Sequence, residues 1–143
     1  MKKVPCVLLG LCLLCLFAAG CSDKAEVAEY IDLTALSDTL RIAELANITA
    51  APDDYEGKTI KLNGAYQANY YEQTQQYYHC ILVTDAAACC QQGLEFLWNG
   101  THEYPGDYPQ EGALIEVTGV LKSYEELGTT YWHLVTDELV TLG

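Results

Sequence analysis

From Lys58 onward, apolar and polar residues alternate with a period of two, and this pattern limits the fold more than any other feature of the 143-residue chain. In Thr59-Ile60-Lys61-Leu62-Asn63-Gly64-Ala65-Tyr66, every second side chain falls on one face, as a half-buried strand requires. Gly64 interrupts the run where a bulge or a sharp coil of the strand would sit. The same alternation predicts strands at Tyr77–Thr84, Gly93–Trp98, Leu114–Tyr124 and Thr130–Val135, with Glu138–Leu142 as a sixth. Asn99-Gly100, Tyr104-Pro105-Gly106-Asp107 and Gly128 supply turn chemistry between them.

One short helix is predicted ahead of the strands, over 38–47. Ser37 stands at its N-cap, and Asp38 in its first turn complements the helix dipole. Leu36, Leu40, Ala43 and Ala46/Asn47 recur at helical spacing, and Ile48-Thr49 and Pro52 end the element. One helix followed by five or six antiparallel strands predicts a mainly β domain. A small OB-like Greek-key barrel fits best, because a curved first strand favours closure over a sandwich. Such barrels usually carry a helix between the third and fourth strands. Here that region, Gly100 to Gly112, is rich in Pro, Gly and Tyr and reads as a loop.

The N-terminus has a different character. Lys2 and Lys3 precede an apolar run from Cys6 to Ala19, as in a secretory signal peptide. The run is shorter than the 18 or so residues of a membrane-spanning helix. It ends Leu16-Phe17-Ala18-Ala19-Gly20-Cys21, which resembles the lipobox of bacterial lipoproteins, with Ala18 where Leu is preferred. The resemblance implies a diacylglyceryl group on the Cys21 sulfur and cleavage just before it. Two acyl chains make a stable anchor where one gives reversible binding. The domain plan is therefore a signal peptide over 1–20, a lipidated tether over 21–36 and the barrel over 37–143, on the extracytoplasmic face of the cell membrane.

Removal of residues 1–20 discards Cys6, Cys12 and Cys15, and leaves five basic residues against 20 acidic ones, a formal charge of −15. So acidic a chain repels phosphate backbones, which excludes nucleic acid as a partner and favours cationic ones. All 11 tyrosines lie in the mature part. Most suit sheet packing. Tyr70, Tyr71, Tyr77, Trp98, Tyr104 and Tyr108 form the candidate ligand-binding surface, since such rings join an apolar body to a polar tip.

Cys80, Cys89 and Cys90 remain for structural or chemical work, beside His79. A hairpin near Ala86 or Ala87 is expected to bring Cys80 close to Cys89 or Cys90. Adjacent residues of an extended strand point to opposite faces, so only one of the pair shares a face with Cys80. Three readings stand open: a disulfide with one buried thiol left over, three reduced cysteines, or a zinc or redox site that recruits His79, His102 or His133. No cofactor is otherwise expected.

Cys89-Cys90-Gln91-Gln92-Gly93-Leu94-Glu95-Phe96 resembles a motif of uncharacterised OB-like lipoproteins of Gram-positive anaerobes. Pro52-Asp53-Asp54-Tyr55-Glu56-Gly57-Lys58-Thr59, Tyr104-Pro105-Gly106-Asp107-Tyr108-Pro109 and Val117-Thr118-Gly119-Val120 match as well. More distantly, a Cys-Cys pair after an OB-like strand is similar to envelope proteins with permease partners, which implies a place beside an envelope protein or transporter. No Gly-rich phosphate loop, nucleophile elbow or His-Glu-x-x-His helix is present, and Asp53-Asp54 and Glu125-Glu126 read as solvated turn charges. The expected function is a non-enzymatic binding or accessory module, with thiol or zinc handling as the alternative.

Overall fold

The computed structural model describes residues 29–143; Cys21, the signal segment and residues 21–28 of the tether lie outside the described residues. The elements run β1 (Tyr30–Asp32), α1 (Asp38–Ala50), a 3-10 turn (Pro52–Asp54), β2 (Thr59–Tyr71), β3 (Gln76–Thr84), β4 (Gln91–Trp98), β5 (Leu114–Glu126), β6 (Thr129–Thr136) and β7 (Leu139–Thr141). Among the described residues no helix is long and apolar enough to cross a membrane.

The alternation produces one seven-stranded sheet in the order β1-β2-β3-β4-β6-β5-β7, and β2 also pairs with β5. Five strands thus form a closed hydrogen-bonding circuit: β2, β3, β4, β6, β5 and back to β2. An all-antiparallel sheet does not form. β1 runs parallel to β2, and β4 runs parallel to β6. The long 99–113 connection is the reason for the second case: it carries the chain from β4 to β5 beside β2, and β6 then returns next to β4. No helix lies in that connection.

β2 and β5 each pair with three strands, and in each of them a glycine stands one residue before the point where one partner hands over to another. Ala65 is opposite both Leu82 of β3 and Leu114 of β5. Val120 is opposite both Thr59 of β2 and Val135 of β6. A Cβ on Gly64 would lie 2.4 Å from the Leu82 carbonyl oxygen, and one on Gly119 would lie 2.8 Å from that of Val135. Gly64 therefore does not interrupt β2. It lets the backbones approach where the strand changes partners.

The core is built from the period-two positions: Ile60, Leu62 and Tyr66 of β2, Ile81 and Val83 of β3, Leu94 and Phe96 of β4, Ile115, Val117 and Leu121 of β5, and Leu134 of β6. α1 adds Leu45 and Ile48. The helix thus turns a different face inward from the expected Leu40 stripe, and Leu40 is exposed. Arg41 explains the rotation: its Nε and Nη2 donate to the carbonyls of Leu33 and Leu36, each at 3.1 Å, which fixes the 41-45-48 side against the sheet. Ser37 makes no side-chain cap bond. The domain also starts earlier than residue 37. β1 aligns Tyr30 with Thr59, and Leu33 is fully buried, so the last part of the expected tether belongs to the fold.

Candidate functional site

The strands that bury Ile81, Leu94, Phe96, Leu121 and Leu134 necessarily turn Tyr78, Cys80, Glu95, Tyr124 and His133 to the opposite face. There all of these but His133 line a groove of about 380 Å³ that also includes Tyr71, Glu126 and Tyr131. Glu95 is its centre. The Tyr124 hydroxyl lies 3.0 and 3.1 Å from its two carboxylate oxygens, and His133 Nδ1 lies 3.5 Å from one of them. The His133 ring stacks on Tyr124 with centroids 4.6 Å apart, and Tyr124 stacks in turn on Tyr131.

A second phenol–carboxylate pair closes the groove. The Tyr78 hydroxyl donates to Glu126 Oε1 at 2.6 Å and lies 2.8 Å from Thr74 Oγ1. Glu125-Glu126 therefore belong to β5 rather than to a loop, and Glu126 is partly buried. Burial and the adjacent carboxylates raise the pKa of Tyr124 and of Tyr78, so both phenols stay neutral donors. The groove thus presents carboxylate acceptors with lone pairs to spare, framed by ring faces whose quadrupole attracts cations.

The aromatic residues singled out in the sequence divide between two places. Tyr71 lies in the groove, 6.5 Å edge-on from Tyr78. Tyr70 reaches the groove rim and also packs on Tyr77 at 5.0 Å. Tyr77, Tyr104, Tyr108 and Trp98 instead form a band on the core side. Tyr77 meets Tyr104 at 4.3 Å, Tyr108 stacks on His79 at 3.9 Å, and Trp98 meets Tyr108 edge-on. The 99–113 loop is held against the sheet by this band, so sheet packing explains these four. His102 belongs to the same layer, stacked on Trp98 at 3.5 Å.

His79 is part of the packing as well. Its Nδ1 and the Tyr66 hydroxyl are 2.7 Å apart. Burial lowers its pKa to about 4 and raises that of Tyr66, so a neutral imidazole and a neutral phenol share one hydrogen bond.

The three cysteines are free and do not converge. Thr84 pairs with Gln91, so the register places Cys80 opposite Glu95. Asp85 N donates to Cys90 O at 3.1 Å, which puts Cys90 five residues along the strand from Cys80, about 16 Å away at the usual rise. That separation corrects the expected Cys80–Cys89 or Cys80–Cys90 approach, because a disulfide requires Cα atoms within about 7 Å. Cys80 faces the groove, and burial together with Glu95 pushes its thiol up to about 11. Cys89 and Cys90 stand exposed in the β3–β4 turn with their sulfurs 3.8 Å apart. Cys89 Sγ also lies 3.0 Å from Asp85 Oδ2, and this bond pushes the Cys89 thiol up to about 11. No histidine joins them: among the described residues, the group of potential metal ligands is Asp85, Cys89 and Cys90.

Tyr78, Glu95, Tyr124, Glu126 and Tyr131 are not among the residues that the sequence nominates, and His133 is nominated only as a metal ligand beside the cysteines, which it does not join. Strand parity was the available signal, since each lies an odd number of residues from a core position of its own strand. No protein-family model and no curated protein matches the chain.

Proposed function

We propose that the mature protein is a lipid-anchored, extracytoplasmic binding module that acts without catalysis and takes amine-bearing ligands in the groove around Glu95. The observation that carries this reading is the groove itself: two carboxylates, each hydrogen-bonded by a tyrosine, sit among ring faces on one sheet surface. Carboxylate acceptors and aromatic faces together suit an ammonium group. The mature charge of −15 draws cations toward it and turns nucleic acid away.

The fold behind the groove is, in this reading, an OB-like barrel. Its support is the closed circuit β2-β3-β4-β6-β5, the pairing expected of a five-stranded Greek-key barrel. In such barrels the outer face of the second and third strands and the adjoining hairpin loops contact ligands, and the groove's lining by residues of β3, β4 and the β2–β3 and β5–β6 hairpins supports the same use here. Membership in the OB-like lipoprotein family of Gram-positive anaerobes rests on the Cys89–Phe96 motif, and the anchor rests on the lipobox ending at Cys21. A tethered module of this kind would serve an envelope protein or a transporter.

Two experiments test the proposal. Radiolabelled palmitate should enter the wild-type protein and not Cys21→Ala; equal labelling refutes the anchor. In calorimetric titrations, pentalysine should bind with an affinity that falls as salt rises, and the Glu95→Gln/Glu126→Gln double variant should lose it. Binding of chitotriose or oligo(dT) in place of pentalysine would overturn the ligand class.

A further inference from the structure

We propose that Asp85, Cys89 and Cys90 form a site for a thiophilic divalent cation of the zinc class, with two thiolates and one carboxylate as ligands and one position open. The site is separate from the groove.

Neighbouring cysteines ordinarily make poor joint ligands because an extended backbone points them apart. Residues 85–90 are not extended. Ala88 adopts φ +53°, and its N–H donates to the Asp85 carbonyl at 2.9 Å. Asp85 Oδ1 accepts from the backbone N–H groups of Cys89 and Cys90 at 2.9 and 3.3 Å. These bonds fold the turn back over the aspartate and bring both sulfurs to its carboxylate, with all three ligand atoms within 4.8 Å of one another.

The spacing suits a tetrahedral ion. With Zn–S bonds of about 2.3 Å, two thiolates on one tetrahedron lie about 3.8 Å apart, and the Cys89–Cys90 sulfur separation is 3.8 Å. A thiolate and a carboxylate oxygen would lie about 3.5 Å apart on the same ion, against 3.0 Å between Cys89 Sγ and Asp85 Oδ2. A small side-chain rotation covers the difference. Soft sulfur ligands select zinc-class ions over calcium or magnesium. Binding replaces the two thiol protons, which pass to solvent. Both cysteines are exposed, so the fourth position is open to water or to a ligand from another molecule. A three-ligand site at a hairpin apex is built to exchange its ion rather than to bury it.

The test uses the mature lipidated protein, purified in detergent and reduced, with the Cys89 and Cys90 thiols shown to be free by alkylation and mass spectrometry. Co²⁺ should bind one equivalent with thiolate-to-metal charge-transfer absorption, and Zn²⁺ should displace it. Cys89→Ser and Cys90→Ser should each abolish that absorption. Asp85→Asn should weaken Zn²⁺ binding by about 10- to 100-fold in competition with a chromophoric chelator, and Cys80→Ser should leave it unchanged. No uptake by the reduced wild type, or unchanged uptake by Cys89→Ser or Cys90→Ser, would overturn the site. Loss of uptake in Cys80→Ser, or a Cys89–Cys90 disulfide that persists under reductant, would overturn it as well.

Discussion

The Tyr124 hydroxyl stands 3.0 and 3.1 Å from the two carboxylate oxygens of Glu95, and so ties β5 to β4 across the intervening β6. Tyr78 and Glu126 make the matching bond from the far side. These contacts tie the β5–β6 hairpin to β3 and β4 over one surface.

Removing either phenol should therefore weaken the fold modestly and leave its architecture intact. Tyr124→Phe and Tyr78→Phe should each cost about 1–2 kcal/mol, the range for a hydrogen bond to a charged acceptor that is partly in water. Urea unfolding reads this directly. A loss of less than a few tenths of a kcal/mol would mean that water replaces the phenol without penalty.

His79 should make stability depend on pH. Burial holds its folded pKa near 4, against 6.5 for the free side chain. Between those values the unfolded chain binds a proton that the folded chain does not, so stability falls as pH drops from 6.5 toward 4. After allowance for the ring's residual exposure, the effect is about 2 kcal/mol. His79→Phe removes the titration along with the Tyr66 hydrogen bond. At pH 7 the variant should be less stable by about 1 kcal/mol, and that deficit should shrink and then reverse as pH falls to 4. Parallel stability curves for the two proteins would refute the assignment.

The handover glycines should resist any side chain. Gly64→Ala and Gly119→Ala both push a Cβ into a backbone carbonyl, and each should cost about 2–3 kcal/mol as an overpacking substitution. Gly106→Ala is the control: its nearest neighbour would be 3.7 Å away, and its effect should stay within about 0.5 kcal/mol. Thermal melts of the three variants provide the comparison.

Six of the seven strands are legible in the sequence because each alternates over several residues between turn signals. β1 is not, since Tyr30-Ile31-Asp32 is three residues long, sits in a charged stretch and pairs in parallel without a hairpin. The helix was legible as an element but not in its orientation, because Arg41 anchors it by contacts with Leu33 and Leu36 that no periodicity encodes. The groove was hidden for a different reason. Its members come from five strands, and only the pairing order brings Tyr78, Glu95 and Tyr124 together. The cysteines show the same limit: a register with Thr84 opposite Gln91 moves Cys80 beyond reach of Cys90.

The most direct test of the groove as a ligand site is a ¹H–¹⁵N NMR titration of the mature domain with pentalysine at low salt. Shifts should centre on Tyr71, Tyr78, Glu95, Tyr124 and Glu126, and the Glu95→Gln/Glu126→Gln pair should abolish them. Shifts centred instead on Tyr104 and Tyr108, or none at all, would contradict a ligand site in the groove.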